Sequence, residues 1–172
     1  MDLFIISLRM IHILAGIFWV GSALIFRPFF FPVLRRAGSA GDKIMHGFAQ
    51  TRLSITIDTS AVVTTLTGLV LYWHVSGGLN TNWITSDAGL TLTAGSLAGL
   101  VALLLGAVIG GPMLRKRLRL ATKVETSPGP ATAEQRAEID EIHDRLGAYQ
   151  PYQIALMVMA IITMVATRYL GT

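Results

Sequence analysis

Residues 90–113 read LTLTAGSLAGLVALLLGAVIGGPM, a run without a single charged side chain. About 20 consecutive apolar residues, wound into a helix, cover the ~30 Å hydrocarbon core of a bilayer. Inside lipid only a helix satisfies its own backbone hydrogen bonds within one segment. The stretch is therefore predicted to be a membrane span. Three more runs of the same kind lie outward from it: Leu3–Phe26, Leu53–His74 and Tyr152–Leu170. The whole chain agrees, with 172 residues, 52% hydrophobic and 14% charged, against roughly 25% charged in a soluble domain. Mean hydropathy is +0.58. The expected fold is all-α: one integral membrane domain over residues 1–172, an antiparallel four-helix transmembrane bundle.

The basic residues give the bundle a direction. Arg27, Arg35, Arg36, Lys43 and Arg52 fall in or beside the first connection, and Arg115, Lys116, Arg117, Arg119, Lys123, Arg136 and Arg145 in the third. The middle connection, SGGLNTNWITSDAG (residues 76–89), has none. Cytoplasmic loops carry the Lys/Arg excess, so the expectation is a multi-pass protein of the plasma (inner) membrane with both termini outside. The net charge of +4 is thus topology signalling, and no nucleic-acid partner is expected. The lipid bilayer is the expected surrounding, and the chain is open to homo- or hetero-oligomer formation.

The third connection has its own pattern. VETSPGP (residues 124–130) reads as a linker, and Thr132 with Gln135 as a capping box. Ile139, Ile142 and Leu146 follow at helical spacing among acidic residues, and Gly147 reads as the stop. A short cytoplasmic amphipathic helix is predicted over residues 132–146. Gly95 with Gly99, and Gly106 with Gly110, form small-xxx-small patterns in the third span. Such pairs either let a neighbouring helix approach closely or open a notch for a flat cofactor.

Ionisable side chains inside spans are costly and mark candidate sites. His12 stands in the outer half of the first span, with Arg9 one turn nearer the surface and Gly16 and Trp19 on its face. That set suits a haem: an imidazole for the iron, a guanidinium for a propionate, a gap for the ring edge and an aromatic wall. The alternative is a histidine hydrogen-bonded between helices, with Arg9 snorkelling to the headgroups. His74, at the outer end of the second span, is either a second axial ligand or part of the aromatic belt formed by Tyr72 and Trp73. Arg27 and Asp58 form a deeper layer, either a structural ion pair or a proton relay. Helical geometry sets Asp58 about 160° around from His74, so one face of a straight helix does not present both. With no cysteine in the chain, thiolate ligation and covalent c-type haem are excluded. Met10 neighbours His12, and Met157, Met159 and Met164 stand in the fourth span, which leaves copper as a further option.

The first helix and its continuation, RMIHILAGIFWVGSALIFRPFFFPVLRRAG (residues 9–38), resemble the opening of small bacterial membrane proteins of the HemJ and CopD-like group. The shared pattern is a leading basic residue, a histidine, a tryptophan seven positions on and a glycine: here Arg9, His12, Trp19 and Gly21. The resemblance implies a four-helix fold and haem b carried on His12. HemJ-type enzymes also have a lysine within a later span, which Leu90–Met113 and Tyr152–Leu170 lack. The expected function is a haem b-binding membrane protein with an electron-transfer or redox role near the outer face, as an oxidoreductase or a partner of one, with a quinone or a membrane redox protein exchanging electrons. A non-catalytic accessory or assembly subunit and copper handling are the alternatives.

Overall fold

The computed structural model describes residues 2–170; residues 1, 171 and 172 of the expected single domain lie outside the described part. Every regular element in it is helical, and four helices are long and apolar enough to cross a membrane. The first is α1 (Leu3–Ile25), followed without a break by a π-helical turn (Phe26–Phe30) and α2 (Phe31–Arg36). The short α3 (Ser39–Ala49) leads to α4 (Leu53–Val75), and α5 (Thr81–Ile84) sits in the middle loop. α6 (Asp87–Leu105) passes through a second π turn (Gly106–Gly110) into α7 (Gly111–Thr126). α8 (Ala133–Leu170) closes the chain. The multi-pass helical membrane architecture expected from hydropathy is present.

Helix ends follow local chemistry. Asp2 caps α1 by accepting from the Phe4 amide at 3.0 Å, and Ser86 caps α6 through the Gly89 amide at 3.2 Å. The capping box of α8 forms in both directions: Thr132 N–H donates to Gln135 Oε1 at 2.9 Å and Gln135 N–H to Thr132 Oγ1 at 3.2 Å. Gly38, at φ 55°, makes the turn into α3, a conformation open to glycine without strain.

The helix bounds differ from the sequence expectation. The first transmembrane helix runs on to Arg36 and the third to Thr126, 34 and 40 residues long respectively. The amphipathic segment at 132–146 is not a separate helix. It is the first part of α8, whose 38 residues continue through Gly147 and Pro151. Its apolar face is the expected one, with Ile139, Ile142 and Leu146 buried. Gly147 does not end it because Ile142 and Leu146 pack on Leu120 of α7 and hold the helix past that point. Pro151 removes one backbone hydrogen bond and crowds the carbonyl of the preceding turn, yet α8 continues through it.

At about 1.5 Å per residue, a 34-residue helix is ~51 Å long and outruns the hydrocarbon core. The surplus gathers at one end, with α3, into a small basic layer. Leu34, Met45 and Ala121 form one apolar cluster there. Arg117 and Asp42 form a buried ion pair at 2.6 Å between α7 and α3. Exposed pairs (Arg35 with Asp144 at 2.9 Å, Lys116 with Glu138 at 2.7 Å) tie α2 and α7 to α8.

Within the spans, the helices pack as two hairpins, α1 on α4 and α6 on α8. Gly95 of α6 lies so close to Thr163 and Ala160 of α8 that a Cβ there would overlap the threonine side chain. Of the two roles open to Gly95 and Gly99, close helix packing is the one observed. The hairpins meet through Trp19, Val20, Ala23, Ala61, Ala102 and Met157. Below this contact a gap opens between them, and at the basic end α3 packing on α7 joins them again.

Candidate functional site

The gap between the hairpins is a cavity of about 260 Å³ walled by all four long helices. Both π turns border it. In each, a proline stands six residues after the start of the turn, Pro32 after Phe26 and Pro112 after Gly106. Proline donates no backbone hydrogen bond, so the residue before it carries the adjustment: Phe31 N–H reaches back to Phe26 C=O and Gly111 N–H to Gly106 C=O. This i→i−5 pairing widens the helix locally. π turns of this kind are frequent at functional sites.

The wall has two chemistries. Trp19, Ala23, Ala61 and Leu103 line the part nearer the middle of the bundle, Arg27, Asp58, Arg115, Tyr149 and Gln153 form a polar band below them, and Phe31, Met45, Phe48, Leu118 and Leu146 close the basic end. Arg27, on the first π turn, donates to Gln153 Oε1 through a very short contact. Gln153 is 1% exposed and donates its amide to the Ala102 carbonyl at 2.7 Å. The guanidinium lies over the Tyr149 ring, 5.3 Å from its centroid. The second π turn supplies the room: a Cβ on Gly106 would press on Gln153, and one on Gly110 would overlap the Tyr149 hydroxyl. That hydroxyl is buried without a hydrogen-bond partner among the described residues, an arrangement that costs stability unless something answers it.

The expected Arg27–Asp58 ion pair is not formed. Asp58 meets Arg115 of α7 at 3.5 Å, while Arg27 turns to α8. Arg27 and Asp58 do line the same cavity, so they form one layer without touching. The pairing failed because Gln153, a neutral residue of the fourth span, competes for Arg27. Asp58 and Arg115 are 63% and 50% exposed in their side chains, so their bridge is a surface latch between the hairpins and not a buried pair.

The residues read as a haem site separate. His12 is half-buried; its Nδ1 lies 2.8 Å from the Thr64 carbonyl and 3.3 Å from Thr67 Oγ1. The ring fills a notch over Gly68, where a Cβ would stand 2.8 Å from Cε1. Gly16 does not leave a slot for a porphyrin edge, since the Thr64 side chain occupies that space at 3.5 Å. Trp19 is turned into the core and the cavity. His74 is exposed and lies six residues beyond Gly68, about 9 Å along α4 and about 120° around from the His12 notch. The outer layer of paired histidines is therefore corrected to a lone His12. Arg9 is exposed one turn toward the chain start. What fits a haem is one axial ligand: Nδ1–H donating to a carbonyl fixes the tautomer that leaves Nε2 free to bind metal. Met10 is 55% and Met159 43% exposed, and Met157 is buried in the core, so they do not converge on His12.

Two histidines of the basic layer have structural partners. His46 joins α3 to α7 through Thr122 Oγ1 at 3.2 Å. His143 accepts from Arg117 Nε at 3.4 Å, and its Nδ1 is buried without a partner among the described residues. Burial first, and the Arg117 and Arg35 charges second, hold its pKa below the ordinary histidine range.

The chain matches no family model, no curated protein and no solved structure. Function is therefore read from the geometry of the bundle.

Proposed function

We propose that the protein is a binding protein of the bacterial inner membrane, its basic layer in the cytoplasm, whose site is the cavity between the two helical hairpins. The ligand class is a membrane amphiphile that enters from the bilayer. One observation carries this: a band of polar side chains around Arg27 interrupts an otherwise apolar cavity, with side chains from all four long helices converging on it. Its depth matches such a ligand. Counting along the first helix, Trp19 lies ~24 Å and Arg27 ~36 Å from Leu3, so the change from apolar to polar falls near one boundary of a ~30 Å core. A cavity of about 260 Å³ is just below the range of small-molecule sites, room for a head and the start of a chain that continues into lipid. This reading is closest to the accessory-subunit expectation and requires no catalytic residue.

A second reading keeps haem b on His12, favoured by the anchored Nδ1 and free Nε2 alone. His12 would hold the iron and Arg9 a propionate; the bound group would supply one-electron chemistry near the outer face. One detergent-purified sample tests both. In native mass spectrometry the protein should retain an amphiphile, lost in Ala107→Phe, which fills the cavity wall, and kept in Leu104→Phe, which points to lipid. A missing adduct, or one indifferent to Ala107→Phe, overturns the cavity reading. A visible spectrum without a Soret band, from cells given ample haem, overturns the haem reading.

A further inference from the structure

We infer that the cavity recognises an oxyanion head, a carboxylate or phosphate carried on a hydrocarbon chain, and that Arg27 is the residue that binds it. The inference rests on the cavity being a ligand site, and it names the ligand's chemistry.

Charge decides the class of head. Three ionised groups line the cavity: Arg27, Arg115 and Asp58. Asp58 is engaged by Arg115. Arg27 has no carboxylate within ion-pair distance among the described residues; its partners are a neutral amide and an aromatic ring. Gln153 and Tyr149 aim the guanidinium without neutralising it. An uncompensated guanidinium at the edge of the hydrocarbon is costly, and its fork of donors matches a carboxylate or phosphate. The neighbouring Tyr149 hydroxyl, buried and unpartnered among the described residues, is a second donor aimed at the same place. A guanidinium with no carboxylate partner among the described residues, a buried hydroxyl beside it and the apolar wall of Trp19, Ala23 and Leu103 describe the complement of an anionic amphiphile. The Asp58–Arg115 bridge crosses between α4 and α7 in the exposed part of the cavity wall. Its carboxylate offsets the Arg115 charge, which leaves selection of the anion to Arg27.

Trp19 lines the cavity and reports on it. In a variant with Trp19 as the sole tryptophan (Trp73→Phe, Trp83→Phe), three probes brominated in the first half of the chain are titrated in detergent: a fatty acid, a lysophosphatidate and a fatty alcohol. A second variant keeps only Trp73, which is 59% exposed and reports unspecific contact with the micelle. The expected result is saturable quenching of Trp19, with an anionic probe acting at about tenfold lower concentration than the alcohol, the effect of one charge-assisted contact. The carboxylate and phosphate arms show which head is preferred. Arg27→Gln should abolish the preference for anions while the alcohol still quenches, which shows that the cavity has survived. Arg27→Lys should retain part of it. Equal action of alcohol and anions, or a preference that persists in Arg27→Gln, overturns the inference and leaves the cavity reading standing. Quenching of Trp19 that never saturates, or that follows Trp73 for every probe, overturns both.

Discussion

Single residues carry most of what is specific here, and several were readable as residues before their partners were. His12, Arg27 and Asp58 stand out in any hydropathy reading because each is expensive where it sits. Their partners were hidden. A helical wheel compares two helices at a time, and Gln153, which takes Arg27, lies on a third and is uncharged. The glycines that make room for the site, Gly106 and Gly110, resemble ordinary packing glycines, since only the structure shows whether a neighbour's backbone or a polar side chain fills the space. His143 gives a prediction at this scale. Its pKa is lowered by burial and by Arg117 and Arg35, against the smaller raising effects of Asp140 and Asp42. Between its folded pKa and about 6.5 the unfolded chain binds more protons than the fold, so stability rises with pH across that window. Thermal unfolding followed from pH 7.5 down to 5 should show a falling midpoint below about pH 6.5. His143→Gln should flatten that fall; an unchanged slope would show that the imidazole is not its source.

At the level of elements, the four spans were legible because an apolar run of bilayer length has little else to become than a membrane helix. Their ends were not. Hydropathy stops where lipid stops, whereas a helix continues wherever packing supports it, as α7 and the first part of α8 do around Leu120, Ile142 and Leu146. Gly147 reads as the stop and is overridden by that packing. The two π turns left a trace in the shared spacing to Pro32 and Pro112, but proline near a span end has many outcomes, and the trace acquires meaning only when both turns border one cavity. The capping box was readable, Thr132 and Gln135 bonding to each other as expected, whereas the Asp2 and Ser86 caps were not read from the sequence.

The whole molecule is two hairpins joined at their centre and again at the basic end, where α3 packs on α7, with a gap between the two contacts. Neither the pairing of α1 with α4 and α6 with α8 nor the gap between the pairs was legible, because both follow from side-chain fit across helices distant in sequence. Orientation rests on the basic residues alone, and the absence of cysteine makes it simple to test. In intact cells a membrane-impermeant maleimide should label Asn82→Cys in the middle loop and reach Ser127→Cys only after permeabilisation; the reverse pattern would invert the protein and put the cavity at the other leaflet. The central claim, that the cavity between the hairpins holds a membrane amphiphile, is tested most directly by crystallising the protein from a lipidic mesophase. The account predicts elongated density between the hairpins, its head against Arg27 and Tyr149 and its chain passing Trp19 and Leu103 toward the bilayer. Hairpins closed on each other, with side chains filling the space and Arg27 turned to solvent, would contradict it.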